Sequence, residues 1–123
     1  MSKKKILIVD DEVSVTKLLK YALERSGQYE VLTESEGAQV IPAVLRFKPD
    51  LLLLDVNLPG LTGGEIALEI KKDPDLVDVP IVFLTGNVTD EEAESGLKIA
   101  GYPALGKPIN MERLIETIEK NIK

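Results

Sequence analysis

Apolar residues along this chain follow two alternating spacings. Short continuous runs at 6–9, 51–54 and 81–84 are bounded by charge, by Pro or by polar residues, as expected of strands covered on both faces. Between and after them the apolar positions spread to helical spacing. Val15, Leu18, Leu19, Ala22 and Leu23 form one stripe, closing near Ser26-Gly27. Val40, Ile41, Val44 and Leu45 form a second, and Met111, Leu114, Ile115, Ile118 and Ile122 a last one. The segment 29–33 reads as the second strand, and a short stretch around Ala104-Leu105 as the fifth.

Punctuation residues set the boundaries. Lys48-Pro49-Asp50 is a turn, because Pro biases the preceding Lys48 out of the helical region. Residues 57–64 form a Pro- and Gly-rich loop, and Thr62 with Glu65 makes a capping box that opens the third helix. Asp73-Pro74-Asp75 closes that helix. Thr89 with Glu92 is a second capping box. The fourth helix it opens is a poor one, with Gly96 inside it and apolar contacts mainly at Ala93, Leu97 and Ala100. Asn110 is the expected cap of the last helix. Five strand–helix units with short connections predict one α/β domain over residues 1–123, a five-stranded parallel sheet with helices on both faces. The chain stops with its last helix, as a standalone domain or as a fragment cut before an effector.

At 123 residues the chain can bury roughly two-thirds of its unfolded surface without disulfides or structural metals. It has no Cys and no His, which excludes thiolate chemistry, a Ser-His-Asp triad, a histidine metal site and a phosphohistidine on this chain. Carboxylates, hydroxyls, Lys and backbone groups are what remain. A formal charge of −6 argues against nucleic-acid binding, which uses clustered Lys and Arg. Lys3-Lys4-Lys5 is the one basic run, a solvated start to the first strand. No run approaches the ~18 apolar residues that span a bilayer, and the run after Lys5 stops too early for a signal-peptide core. No membrane association and a cytoplasmic location are therefore expected.

The first strand runs into Asp10-Asp11, the third into Asp55 and the fourth into Thr85, while Lys107-Pro108 follows the fifth. Each has an ordinary explanation alone: an Asp capping helix one, a strand-end carboxylate, a β-favouring Thr before Gly86, an exposed loop Lys. Ligand groups of open parallel sheets, however, collect beyond the carboxyl ends of the strands where strand order reverses. If these strands are neighbours, three carboxylates, a hydroxyl and an ammonium converge. Like charges at about 4 Å repel by several kcal/mol at intermediate dielectric. An oxygen-seeking Mg²⁺ ion would resolve that repulsion. Pro108 is a candidate for a cis bond.

The set Asp10-Asp11, Asp55, Thr85-Gly86 and Lys107-Pro108, with Asp55-Val56-Asn57-Leu58-Pro59 and Gly63 eight residues after Asp55, resembles the receiver domain of two-component response regulators. The resemblance covers essentially the whole chain. It implies a flavodoxin-like sheet of order 2-1-3-4-5. It implies Asp55 as phosphoryl acceptor and Mg²⁺ held by Asp11 directly, Asp10 mainly through water, Asp55 and the backbone carbonyl of Asn57. Thr85 and Lys107 would each bind a phosphoryl oxygen. A histidine kinase or histidine phosphotransfer protein would donate, and the chain would catalyse its own phosphorylation and dephosphorylation without being a conventional enzyme. A downstream effector domain or protein, or a phosphorylation-dependent homodimer, would read the output through helix four, strand five and helix five.

The sequence departs from that family at the output end. The aromatic usual three residues before the Lys is Ala104 here, and Tyr102 lies two residues earlier. The Ala-Gly segment before strand five is displaced by one residue, and Leu58 replaces the commoner Met. Three rivals fit less well. A haloacid-dehalogenase-type phosphatase needs a second Asp where Asn57 stands, and a cap for which the chain is too short. A flavodoxin would have to cradle a phosphate against Asp10-Asp11-Glu12. A receiver-like domain that is never phosphorylated has no need of the full set.

Overall fold

In the computed structural model of the protein, which describes residues 3–86, 98–99 and 101–122, the strands are β1 (Lys4–Val9), β2 (Tyr29–Glu34), β3 (Leu51–Asp55), β4 (Ile81–Thr85), β5 (Lys98–Ile99) and β6 (Tyr102–Gly106). The helices are α1 (Val13–Arg25), α2 (Val40–Phe47) after a 3₁₀ turn at Gly37–Gln39, α3 (Gly63–Lys72) and α4 (Met111–Asn121). The sheet order is β2-β1-β3-β4-β6-β5. The first five of these are parallel, so the expected order 2-1-3-4-5 is observed, with β6 as its fifth strand. Order reverses between β1 and β3.

Alternation along the strands divides the core in two, because successive strand residues face opposite sides. Leu7, Val9, Leu52, Leu54, Ile81 and Phe83 pack with Val40, Ala43 and Val44 of α2 and Ile66, Ala67 and Ile70 of α3. Ile6, Ile8, Leu51, Leu53, Val82 and Leu84 pack with Leu19 and Leu23 of α1 and Leu114 and Ile118 of α4. With both faces covered, every residue of β3 and β4 is buried, which is why these segments read as unbroken apolar runs.

The structure corrects several expectations. Leu18 on α1 is exposed, and Thr16 is buried instead. Thr16 tolerates this because its hydroxyl donates to the carbonyl of Val13 at 2.9 Å. On α2, Leu45 is exposed while Ala43 and the half-buried Phe47 fill the inner face. Lys48 leaves the helical region as expected, but into the left-handed region (φ 52°). There its N–H donates to Val44 O at 2.9 Å and closes the helix, so the helix-ending bond overrides the extended bias imposed by Pro49.

The capping box on Thr62 and the Asn110 cap are both present. The Thr89–Glu92 box and most of the fourth predicted helix lie outside the described residues. At its end, Lys98 and Ile99 form an antiparallel strand on β6 rather than helix. Gly101, at φ +87°, makes the turn between them, and Ile99 and Tyr102 pack onto the first core cluster. Tyr102 also meets the ring of Phe83 edge-on at 5.7 Å.

The start of α3 lies close against the end of β3. Gly63 N donates to Val56 O at 3.0 Å, and a Cβ on Gly63 would stand 2.4 Å from the backbone oxygen of Asp55. No flexible side chain is there to yield. Gly63→Ala is expected to lower stability by about 1–3 kcal/mol, the cost of overpacking a fitted contact, read by chemical denaturation. Gly64→Ala, whose Cβ would meet only Thr62 Oγ1 at 3.9 Å, is expected to leave stability unchanged or raise it, since Ala is the better helix former.

Candidate functional site

Parallel register builds the site. Val9 lies opposite Leu54, so the next residues, Asp10 and Asp55, emerge side by side on strands spaced about 4.8 Å apart. Asp55 lies opposite Leu84, and Thr85 opposite Gly106, which places Thr85 beside the loop that begins at Lys107. The N–H of Lys107 donates to Thr85 O at 2.8 Å, extending that ladder past the strand. The bond from Lys107 to Pro108 is cis.

The predicted acids come together. One carboxylate oxygen from each of Asp10, Asp11 and Asp55 lies within 4.8 Å of the others. Asp10 and Asp55 are buried and Asp11 is exposed, so the cluster opens to solvent on the Asp11 side. Neither residue of the pair caps helix one. Glu12 is the N-cap residue of α1, and Asp10 Oδ1 accepts from Glu12 N at 3.0 Å. Asp55 Oδ1 accepts from Asn57 N at 3.1 Å, which turns the chain sharply after β3 and leaves Asn57 exposed on the loop.

Lys107 enters this acidic ring. Its Nζ lies 2.7 Å from Asp10 Oδ2, 3.3 Å from Asp55 Oδ2 and 3.8 Å from Glu12 Oε1. The contact with Asp55 is a hydrogen bond. Asp10 Oδ2 is buried, and apart from the Lys107 ammonium at 2.7 Å it has no donor among the described residues. An under-satisfied buried carboxylate oxygen among three converging acids fits a hard, oxygen-seeking cation. Sequence reasoning missed the approach of Glu12 to Lys107. The signal available was an acid directly after the Asp pair, at a helix start where it is a poor cap.

Burial is the largest influence on Asp55 and raises its pKa. The Asn57 N–H opposes this, the Asp10 charge raises it further, and Lys107 draws it down, leaving the carboxyl above its ordinary value. For Lys107, burial is again largest and lowers the pKa, but the hydrogen bond and charge of Asp10, followed by those of Asp55, leave the ammonium above its usual range. Lys107 thus stays charged at neutral pH.

A carboxyl whose folded pKa is raised binds more protons in the folded than in the unfolded chain. Its contribution to stability therefore falls as pH rises through the window above the ordinary carboxylate value. Asp55→Asn removes that penalty but keeps only one oxygen, so it can accept from the Asn57 N–H or from Lys107 and not from both. In chelated buffer the Tm of the variant, relative to that of the unaltered chain, is expected to be higher at pH 7 than at acidic pH. That relative gain should shrink as pH falls through the window above the ordinary carboxylate value, as the folded chain takes up the Asp55 proton. Thermal melts across pH check this.

Residues 6–119 match the family model described as the response regulator receiver domain. The chain is 36% identical over 116 residues to the phosphate regulon transcriptional regulatory protein PhoB of Pseudomonas aeruginosa, spanning 94% of this chain and 50% of that one. It is 39% identical over 107 residues to the alkaline phosphatase synthesis transcriptional regulatory protein PhoP of Bacillus subtilis, spanning 87% and 43%. The chain spans about half the length of these curated relatives. The chemotaxis response regulator CheY4 of Vibrio cholerae superposes with a TM-score of 0.83 at 28% identity, covering 98% of this chain and 100% of that one. No described helix is long and apolar enough to cross a membrane. The strand order, the acids gathered where it reverses and the family match over nearly the whole chain lead to one assignment: the chain belongs to the receiver domains of two-component response regulators.

Proposed function

We propose that residues 1–123 act as a phosphoacceptor domain in which Asp55 takes a phosphoryl group from a histidine kinase or a histidine phosphotransfer protein. The observation that supports this most is the single ammonium of Lys107 lying between buried Asp10 and Asp55 at the sheet's carboxyl edge. In the transfer, a carboxylate oxygen of Asp55 forms a P–O bond as the donor's P–N bond breaks, and the imidazole leaves with its nitrogen reprotonated. Hydrolysis of the acyl phosphate returns the carboxylate and inorganic phosphate, so the domain resets itself.

Asp11 directly, Asp10 mainly through water, Asp55 and the backbone carbonyl of Asn57 are the groups that would hold Mg²⁺. The bound cation would supply charge neutralisation for the approaching phosphoryl group. Asn57 N–H holds one oxygen of Asp55 and fixes its rotamer. Lys107 follows charge from the carboxylates to the phosphoryl oxygens, and Thr85, at the end of the neighbouring strand, offers its hydroxyl to another. Catalysis of this kind is positioning and electrostatics more than covalent work by the protein.

Output follows from the new contacts. Drawing Thr85 and Lys107 toward the phosphoryl group biases β4 and β6, and with them a surface that an effector domain, an effector protein or a second copy reads. Moving such an equilibrium from 1:99 to 99:1 takes ~5.5 kcal/mol of differential stabilisation. PhoB and PhoP are transcriptional regulatory proteins by name, so an effector domain or protein that acts on transcription is the output we propose. The domain's own net charge of −6 leaves nucleic-acid contact to that partner.

Incubation with acetyl phosphate and Mg²⁺ is expected to give one base-labile phosphoryl adduct by intact mass, lost when Mg²⁺ is chelated and absent in Asp55→Ala. An adduct of equal yield in Asp55→Ala would overturn the assignment of Asp55. Labelling undiminished by chelation would overturn the role of the metal.

A further inference from the structure

Glu12 follows Asp10-Asp11 and occupies the N-cap of α1, yet its side chain makes no capping bond. Short acceptors such as Ser, Thr, Asp and Asn are favoured at that position because they reach the second or third amide of the helix, which Glu cannot do as well. The other two helices that start from a site loop are both capped, α3 by Thr62 and α4 by Asn110. The helix beginning at Glu12 also has no acidic residue in its first turn to complement its amides. A local rule broken beside a site calls for a compensating gain.

The gain lies across the site. Glu12 Oε1 is 3.8 Å from Lys107 Nζ, with the Glu12 side chain 61% exposed. Lys107 is therefore shared among the tight pair with Asp10, the hydrogen bond to Asp55 and this looser outer contact. Asp10 and Glu12 both belong to the stretch following β1, so both pull the ammonium toward that side. A phosphoryl group on Asp55 would have to draw it the other way.

We propose that Glu12 is a positioning residue acting through Lys107: it restrains the ammonium on the β1 side and competes with a phosphoryl oxygen on Asp55 for it. The inference rests on Asp55 being the phosphoacceptor. An exposed ion pair of this length has a modest effect. Its removal should therefore strengthen binding of a phosphoryl-like anion about two- to fivefold, or about 0.4–1 kcal/mol at 1.4 kcal/mol per tenfold.

The probe is beryllofluoride at saturating Mg²⁺, titrated calorimetrically against the full chain and its variants. Glu12→Gln keeps the length of the side chain and removes its charge, and is expected to bind the anion two- to fivefold more tightly. Glu12→Asp keeps the charge but caps α1 and so withdraws the carboxylate from Lys107. It is expected to raise Tm and also to tighten binding. A general loss of structure would weaken binding, so the direction separates positioning from damage. Unchanged or weaker binding in Glu12→Gln overturns the proposal. So does tightening in Glu12→Gln with wild-type affinity in a Tm-raised Glu12→Asp, since the charge would then act through the overall field and not through contact with Lys107. If the unaltered chain binds no beryllofluoride with Mg²⁺ present, the phosphoacceptor reading itself fails, and this inference with it.

Discussion

One ammonium among carboxylates holds the functional end of this molecule together. Asp10 is fully buried and Asp55 nearly so, and buried charges persist only where a partner offsets their lost hydration. Lys107 is that partner for both. It arrives from a segment some fifty residues beyond Asp55, delivered by β6 through the ladder that continues from Thr85 O to Lys107 N. The arrangement stays acidic even so, because among the described residues one cation meets Asp10, Asp55 and Glu12, with Asp11 beside them. That excess of negative charge suits a divalent ion, and the Asp10 charge adds to burial in holding the Asp55 carboxyl above its ordinary pKa.

Everything beneath this end of the sheet serves to hold the ends of β1, β3, β4 and β6 at fixed spacing. Two apolar clusters clamp the sheet from opposite faces, so the strands cannot slip in register without turning buried leucines and isoleucines to the wrong side. At the far end of β1, Lys5 N donates to Asp50 Oδ2 and Asp50 N to Lys5 O, a double junction that fixes the start of β3 against β1. Register set at that end is what brings Asp10 and Asp55 level at the other.

Much of this was legible in the sequence because unbroken apolar runs have few competing meanings in a chain of this length. The 51–54 run could only be a strand covered twice, and an acid at its end could only emerge at the sheet's rim. The order of the strands came from resemblance, since periodicity says nothing about which strand neighbours which. What escaped lay at finer scale. A helical stripe does not reveal its inner edge, so the spacing points Leu18 and Leu45 inward, whereas Thr16 and Ala43 take those places. Thr16 could do so by bonding its own backbone, which composition cannot show. The two residues of β5 carry no spacing signal at all. They exist because Gly101 permits a reversal and β6 offers an unpaired edge. The reach of Glu12 toward Lys107 escaped for another reason: it joins segments far apart in the chain.

That short reversal has a bearing on how the domain behaves when crowded. The outermost parallel strand carries Pro103, which lacks an amide hydrogen, and its first two residues are already paired with Ile99 and Lys98. Unguarded strand edges recruit further strands and seed fibrous aggregates, and prolines and brief covering segments are standard protection. At Tyr102 and Pro103 a neighbouring copy therefore finds less free backbone to pair with than a bare strand would offer.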